Sequence, residues 1–380
     1  MGKSREEEHE AFLNWLVASI HQYRVDVLIV AGDIFDTGTP PNYALELYYR
    51  FLTRLLSTQC KTIVILGGNH DSISTLQTSS PLLKELNIYV IASGDENEET
   101  LIKCYKEEKL QAVICAVPFL RDSVVRKSIS GESSKEKNKS LSEGIEQYYK
   151  QIHKEALSLV EGEETPIIAT GHLTTVGGKT SDSERELYIG NSLNITSDFL
   201  AELFDYVALG HLHHAQKVSH EHVRYSGSPI PLSFSEAGSQ KSVSLITFSG
   251  KSLNIERLLI PLHRTLHRLK GDKESLKEQL TQIDDKSGWI EIEVEGDNTY
   301  ATLQAIQTYA DELELTILAK KVTQTEASAY QEEMQVVNLN EVSPYEVFEK
   351  RLAMDNVEDA ELIENLKTLF KTIKEEVVSA

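Results

Sequence analysis

The sequence predicts an α/β fold. Three observations carry this reading. Apolar runs with no room for turns alternate with amphipathic helical stretches, and strand–helix–strand order implies a parallel sheet. Four of those runs stop at a glycine followed within two residues by a metal-binding residue type. From about residue 263 the pattern becomes strictly alternating and the elements shorten, which marks a smaller α+β unit.

The elements follow in order. Residues 5–23 predict a helix, with Phe12, Leu16, Ile20 and Tyr23 on one face and acids in the first turn. Val27–Ala31 reads as a buried parallel strand that ends in Gly32-Asp33. A helix opens near Pro41, and the buried strand Lys61–Leu66 runs into Gly67-Gly68-Asn69-His70-Asp71. A short helix and the strand Ile88–Ile91 complete this part. Leu101–Tyr105 and Ala112–Val117 read as a strand pair. Residues 121–144 show no apolar period and read as a mobile loop opening into a helix at 144–160. Lys127, Lys135, Lys137 and Lys139 make that loop the best local basic patch. Pro166–Thr170 leads to Gly171-His172, and Phe204–Leu209 leads to Gly210-His211-Leu212-His213. Val223–Pro229 and Ser242–Phe248 read as strands where the sheet turns antiparallel. Trp289–Val294 alternates strictly and predicts a half-exposed strand, followed by a helix at 299–313 and the strand Leu315–Ala319. Residues 343–375 read as a helical tail with an apolar stripe, a surface for a partner. The expected division is 1–262, 263–340 and 341–380.

Composition narrows the function classes. With 380 residues, 40% hydrophobic and 26% charged, the chain matches soluble globular proteins and can hold more than one domain. No run of about 18 apolar residues predicts a membrane span. The first eight residues lack the apolar stretch of a signal peptide. The three cysteines show no CxxC spacing, so buried thiols in a reducing cytoplasm are expected. There are 38 Lys and Arg against 59 Asp and Glu, a net charge of −21, which opposes non-specific adhesion to nucleic acid. A DNA substrate would need bound metal, a basic patch or a basic partner to overcome that field.

The strand ends carry the chemistry. In open α/β sheets ligands sit beyond the carboxyl ends of the strands. Asp33, Asn69, His70, His172, His211 and His213 all fall at such ends. Mixed imidazole, carboxylate and amide oxygen suit Mn, Fe or Zn. A shared carboxylate such as Asp33 can bridge two ions. For both rings of His211-Leu212-His213 to face one cavity the backbone must leave the strand, and Gly210 is expected to permit that turn. Asp36 and Asp71 are expected to orient neighbours rather than bind metal.

GD-x-x-D, GNHD, GH and GH-x-H in this order resemble the calcineurin-like metallophosphoesterases. The segments AGDIFDTGTPP, ATGHLTTVG and YSGSPIPLSF are similar to the SbcD family of bacterial nuclease subunits within that superfamily. The resemblance implies a sandwich of mixed sheets flanked by helices, an α+β capping domain and a C-terminal helical tail. It implies two divalent ions, Mn above all. Asp33 would bridge them. Asn69, His172 and His211 would complete one shell, and His213 would bind the other ion. His70 would act at the scissile phosphate as acid or charge stabiliser. It further implies a cytoplasmic DNA exonuclease and endonuclease of repair, recombination and replication. The nuclease would work as a homodimer with a SbcC-type coiled-coil ABC ATPase. The family's first strand ends in Asp-x-His. No such motif precedes the helix at 5–23, which reads as an N-terminally shortened form with one well-bound ion, one weak site and little activity. Two other readings compete: a phosphatase or phosphodiesterase on the same scaffold, and a non-catalytic scaffold for the ATPase. Thr37 stands where protein phosphatases of this fold carry Arg, which counts against the first.

Overall fold

In the computed structural model, α1 (Glu6–Tyr23) feeds β1 (Val27–Val30), and α2 (Asn42–Leu55) carries the chain to β2 (Thr62–Leu66). Two short helices, α3 (Ile73–Gln77) and α4 (Ser80–Lys84), lead to β3 (Ile88–Ile91). The structure describes residues 3–322, apart from 96, 127–132, 161–163, 182–183, 185–186, 188–194 and 297–298. These first strands form a parallel sheet in the order β1-β2-β3. All five residues of β2 are buried, whereas the four of β1 are only half-buried. The apolar run of β1 therefore does not make it a central strand. Among the described residues it pairs on one side only.

The second sheet is mixed. It contains β4 (Leu101–Lys106), β5 (Lys109–Cys115), β6 (Ile167–His172), β7 (Tyr206–Gly210), β8 (Gln216–Val218) and β9 (His220–Tyr225). Their order is β4-β5-β6-β7-β9-β8. The strands β5, β6, β7 and β9 run parallel, and β4 and β8 close the edges antiparallel. Val64, Leu66 and Ile91 of the first sheet pack on Ile102, Cys104 and Ile114 of the second. This apolar layer joins the sheets face to face. The helices α1 and α2 cover the outer face of the first sheet. Three further helices lie along the second part: α5 (Asp122–Val125), α6 (Ser134–Leu157) and α7 (Asp198–Leu203). The last two cover the outer face of the second sheet. A sandwich of one parallel and one mixed sheet, flanked by helices, is thus present.

The loop expected over 121–144 is a correction. A capping box starts α6: the Ser133 hydroxyl accepts from the Glu136 amide, and the Glu136 carboxylate accepts from the Ser133 amide. Leu141, Ile145, Tyr149, Ile152 and Ala156 then form its buried stripe. The stripe begins only after two polar turns, so an apolar period was hard to see. Lys137 lies on this helix 3.3 Å from Asp122, and Lys139 pairs with Glu143, so acids offset the basic patch. Lys127 lies outside the described residues.

Two elements follow as a hairpin, β10 (Ser242–Ser249) and β11 (Ser252–Leu259). Next come β12 (Leu266–Gly271), α8 (Lys273–Thr281), β13 (Trp289–Val294), α9 (Thr299–Glu312) and β14 (Thr316–Val322). The order β12-β13-β14 makes β13 central, not half-exposed. Ile290, Ile292 and Val294 face a core with α8 and α9. On the other face Glu291 is buried under Arg268 and Lys321, each 3.0 Å away. Alternation here marks two differently covered faces. The guanidinium groups of Arg5 and Arg264 both lie over the Trp289 ring, at 5.2 and 4.5 Å from its centroid. The Arg5 side chain also grips Glu8 and the Pro231 carbonyl. This ties α1 to the α+β part. The helical tail expected over 343–375 lies outside the described residues. Among the described residues no helix is long and apolar enough to cross a membrane.

Candidate metal centre

The ends of β1, β2, β6 and β7 converge. Asp33, at the end of β1, adopts the left-handed region with φ +51°, directly after Gly32 at +95°. Aspartate is among the few side chains that tolerate this conformation. His211, just past β7, also has a positive φ, at +91°. The chain therefore turns at His211 itself and not at Gly210, as the sequence suggested. Gly210 answers a different need: a Cβ there would fall 1.7 Å from the Ala31 carbonyl oxygen. The glycine lets the ends of β1 and β7 touch.

The side chains of Asp33, His172 and His211 each offer a ligand atom, all within 4.8 Å of one another. His172 and His211 are buried. The His172 Nδ1 lies 2.9 Å from the Ala31 carbonyl oxygen, which can only accept. Nδ1 therefore carries the proton, and Nε2 turns to the Asn69 Oδ1 at 2.9 Å and to Asp33 Oδ2 at 3.2 Å. An imidazole nitrogen, an amide oxygen and a carboxylate oxygen thus share one point. A proton on Nε2 or a cation in its place is what such a cluster of acceptors requires.

Electrostatics favour charge on the carboxylate. Burial alone would raise the Asp33 carboxyl, but the hydrogen bond and charge of His172, then His70, hold it down at about 2. Burial, and next the charge of His172, press the His211 imidazole down to about 3. His211 is therefore neutral at physiological pH, the form that ligates metal.

The GNHD turn supports this centre. Asp71 is buried, and its carboxylate accepts from the amides of Ile34 (3.0 Å), Phe35 (2.9 Å) and Gly68 (2.8 Å). Burial raises its carboxyl against these donors. Asp71 thereby ties the loop after β1 to the loop after β2. The His70 amide donates to Asp33 Oδ1 at 3.2 Å. Its ring Nδ1 lies 2.8 Å from the Asp36 carbonyl oxygen and 3.5 Å from the Asp36 carboxylate. Asp36 thus contacts the ring of His70.

His213 stands apart from the trio. Its ring Nδ1 faces Glu236 at 3.5 Å and Glu184 at 3.9 Å. Its amide donates to Glu184 at 2.7 Å. The two rings of the H-x-H segment therefore have different surroundings. Sequence reading missed Glu184, Glu236 and Lys241, which lie in no motif of metal-ligand spacing. It also missed Arg121, which stacks on Phe119 and donates to the Asp71 carbonyl at 3.2 Å.

The calcineurin-like phosphoesterase family matches residues 5–215. A second family, described as type 5 capsule protein repressor C-terminal domain, matches residues 263–356. The SbcD subunit of the SbcCD nuclease of Escherichia coli K12 is 41% identical, covering 97% of this chain and 93% of the relative. The protein of the same name from Bacillus subtilis is 30% identical over 77% of this chain and 75% of the relative. That of Rhodobacter capsulatus is 32% identical over 66% and 63%. The metallophosphoesterase fold implies divalent-metal binding, and Asp33, His172 and His211 form the candidate site for it. Likeness of this extent runs through both parts of the sequence, and the chain belongs to the calcineurin-like phosphoesterases, in the family of SbcD nuclease subunits.

Proposed function

We propose that this chain is a DNA nuclease subunit that hydrolyses phosphodiester bonds with divalent metal, Mn for preference, at the strand ends described above. One observation carries the reading: Asp33, Asn69, His172 and His211, from four separate strand ends, bring their ligand atoms together around one point. The relatives' name marks each of them as one subunit of a complex. By that likeness this chain acts beside a coiled-coil ABC-type ATPase, as a homodimer in the assembly.

The residues fit the ion. Asn69, His172 and His211 would hold one cation, Asp33 would reach both, and His213 would serve the second. When bound, such ions act as Lewis acids toward phosphate oxygens and lower the pKa of the water they hold. The chain's own contributions are distinct. The Ala31 carbonyl fixes the His172 ring with Nε2 turned to the centre. The Asp36 carbonyl fixes the His70 ring through Nδ1, which leaves His70 Nε2 to donate a proton, or present positive charge, to the leaving oxygen. Asp71 holds the two loops that present Asp33 and His70.

The test is cleavage of an end-labelled DNA duplex with Mn, by the chain alone and with its ATPase partner. His70→Ala should lower turnover by about 100-fold, the usual scale for one proton-transfer group, with metal content near that of the unaltered protein. Loss of metal in parallel with activity would show that His70 is a ligand instead. Mn-independent cleavage, or hydrolysis of phosphomonoesters in place of DNA, would overturn the nuclease reading.

A further inference from the structure

Beneath the His211–His213 segment lies a buried ion pair that no motif predicted. Glu236 and Lys241 are 1% and 5% exposed. The Lys241 ammonium has three protons and three acceptors: the Glu236 carboxylate, Ser228 Oγ at 2.8 Å and the His213 carbonyl oxygen at 3.1 Å. The Ser228 amide donates to the same carbonyl at 3.1 Å. The Ser228 hydroxyl lies 3.3 Å from the Glu236 oxygen that Lys241 grips. The other carboxylate oxygen faces His213 Nδ1. Gly227 (φ +82°) completes the nest, since a Cβ there would lie 2.9 Å from the His213 carbonyl oxygen.

Burying two charges is costly. Apolar residues of similar volume often serve stability as well or better. A pair that instead uses all its donors on one histidine's surroundings points to positioning. A carboxylate behind a ligating imidazole sets the ring's tautomer and orientation.

We infer that Glu236 and Lys241 are positioning residues for His213. Lys241 and Ser228 clamp its carbonyl, and Glu236 draws the ring proton to Nδ1, so that Nε2 is the ligating atom. The metal part of this inference rests on the ligand role given to His213 above.

The double substitution Glu236→Met with Lys241→Met tests it. It removes the pair without stranding either charge, so the core keeps its volume. Two readouts decide. The first is the 15N shifts of the His213 ring in the metal-free protein. The unaltered chain should show the Nδ1–H tautomer, and the double variant should move toward Nε2–H. The second is a Mn binding isotherm, in which the double variant should weaken the ion that depends on His213 by about 10- to 100-fold. Lys241→Arg, which keeps the buried cation beside an intact Glu236, should leave both readouts as they are in the unaltered chain. An unchanged ring tautomer in the folded double variant overturns the inference. His213→Ala separates the two ideas. If it leaves the isotherm unaltered, His213 is not a ligand, and the metal role proposed for that residue fails. If it weakens Mn while the double variant binds as the unaltered chain does, the positioning role fails alone.

Discussion

Asp33→Asn should strip the centre of metal and lower DNA hydrolysis by about 10⁴-fold, roughly 5.5 kcal/mol of barrier at 1.36 kcal/mol per factor of ten. The substitution isolates charge from shape. Asn tolerates the left-handed backbone that Asp33 adopts, as few other residues do. Asn also keeps an oxygen that can accept from the His70 amide. What it removes is the anion, on which His172 and His211 both converge and which His172 and His70 hold ionised. The variant should unfold within a few degrees of the unaltered chain while metal analysis shows the loss. Retained metal with retained cleavage would mean that the carboxylate is only a turn residue.

Asp71→Ala should cost the fold about 2–6 kcal/mol, because three amide donors lose one shared acceptor, two of them buried, and each buried orphan costs about 1–3 kcal/mol. Those donors belong to Ile34, Phe35 and Gly68, so the damage falls on both loops that carry the centre. Thermal unfolding should drop by about 10–15 °C, and metal affinity should fall with it. Asp71→Asn keeps one oxygen and should be milder. A shift under about 1 kcal/mol for Asp71→Ala, below the cost of a single orphaned donor, would show that other contacts hold these loops.

The strand ends were legible because buried parallel strands are apolar throughout and stop abruptly at glycines. Asp33, Asn69, His70, His172 and His211 each stand just beyond such a run. The structure brings four of them around one point and sets His70 beside it. Less legible was anything decided by a partner far along the chain. The Val27–Val30 run gives no sign that it pairs on one side only among the described residues. The start of α6 was hidden because its capping box and first turns are polar, the buried stripe beginning only at Leu141. Glu291 reads as a solvent-facing residue of an alternating strand, yet Arg268 and Lys321 cover it. The elements β12 and α8 passed unnoticed because each carries only two apolar side chains among charged and polar ones. Glu236 and Lys241 look like surface charges until the fold places them under His213.

The Mn position itself decides whether these strand ends form a metal centre. Crystals soaked in Mn and measured at its absorption edge should show an anomalous peak within bonding distance of Asp33, His172 and His211, with the Asn69 oxygen in the same shell. No peak there, or one bound by other residues, would contradict the metal centre and the hydrolytic role built on it.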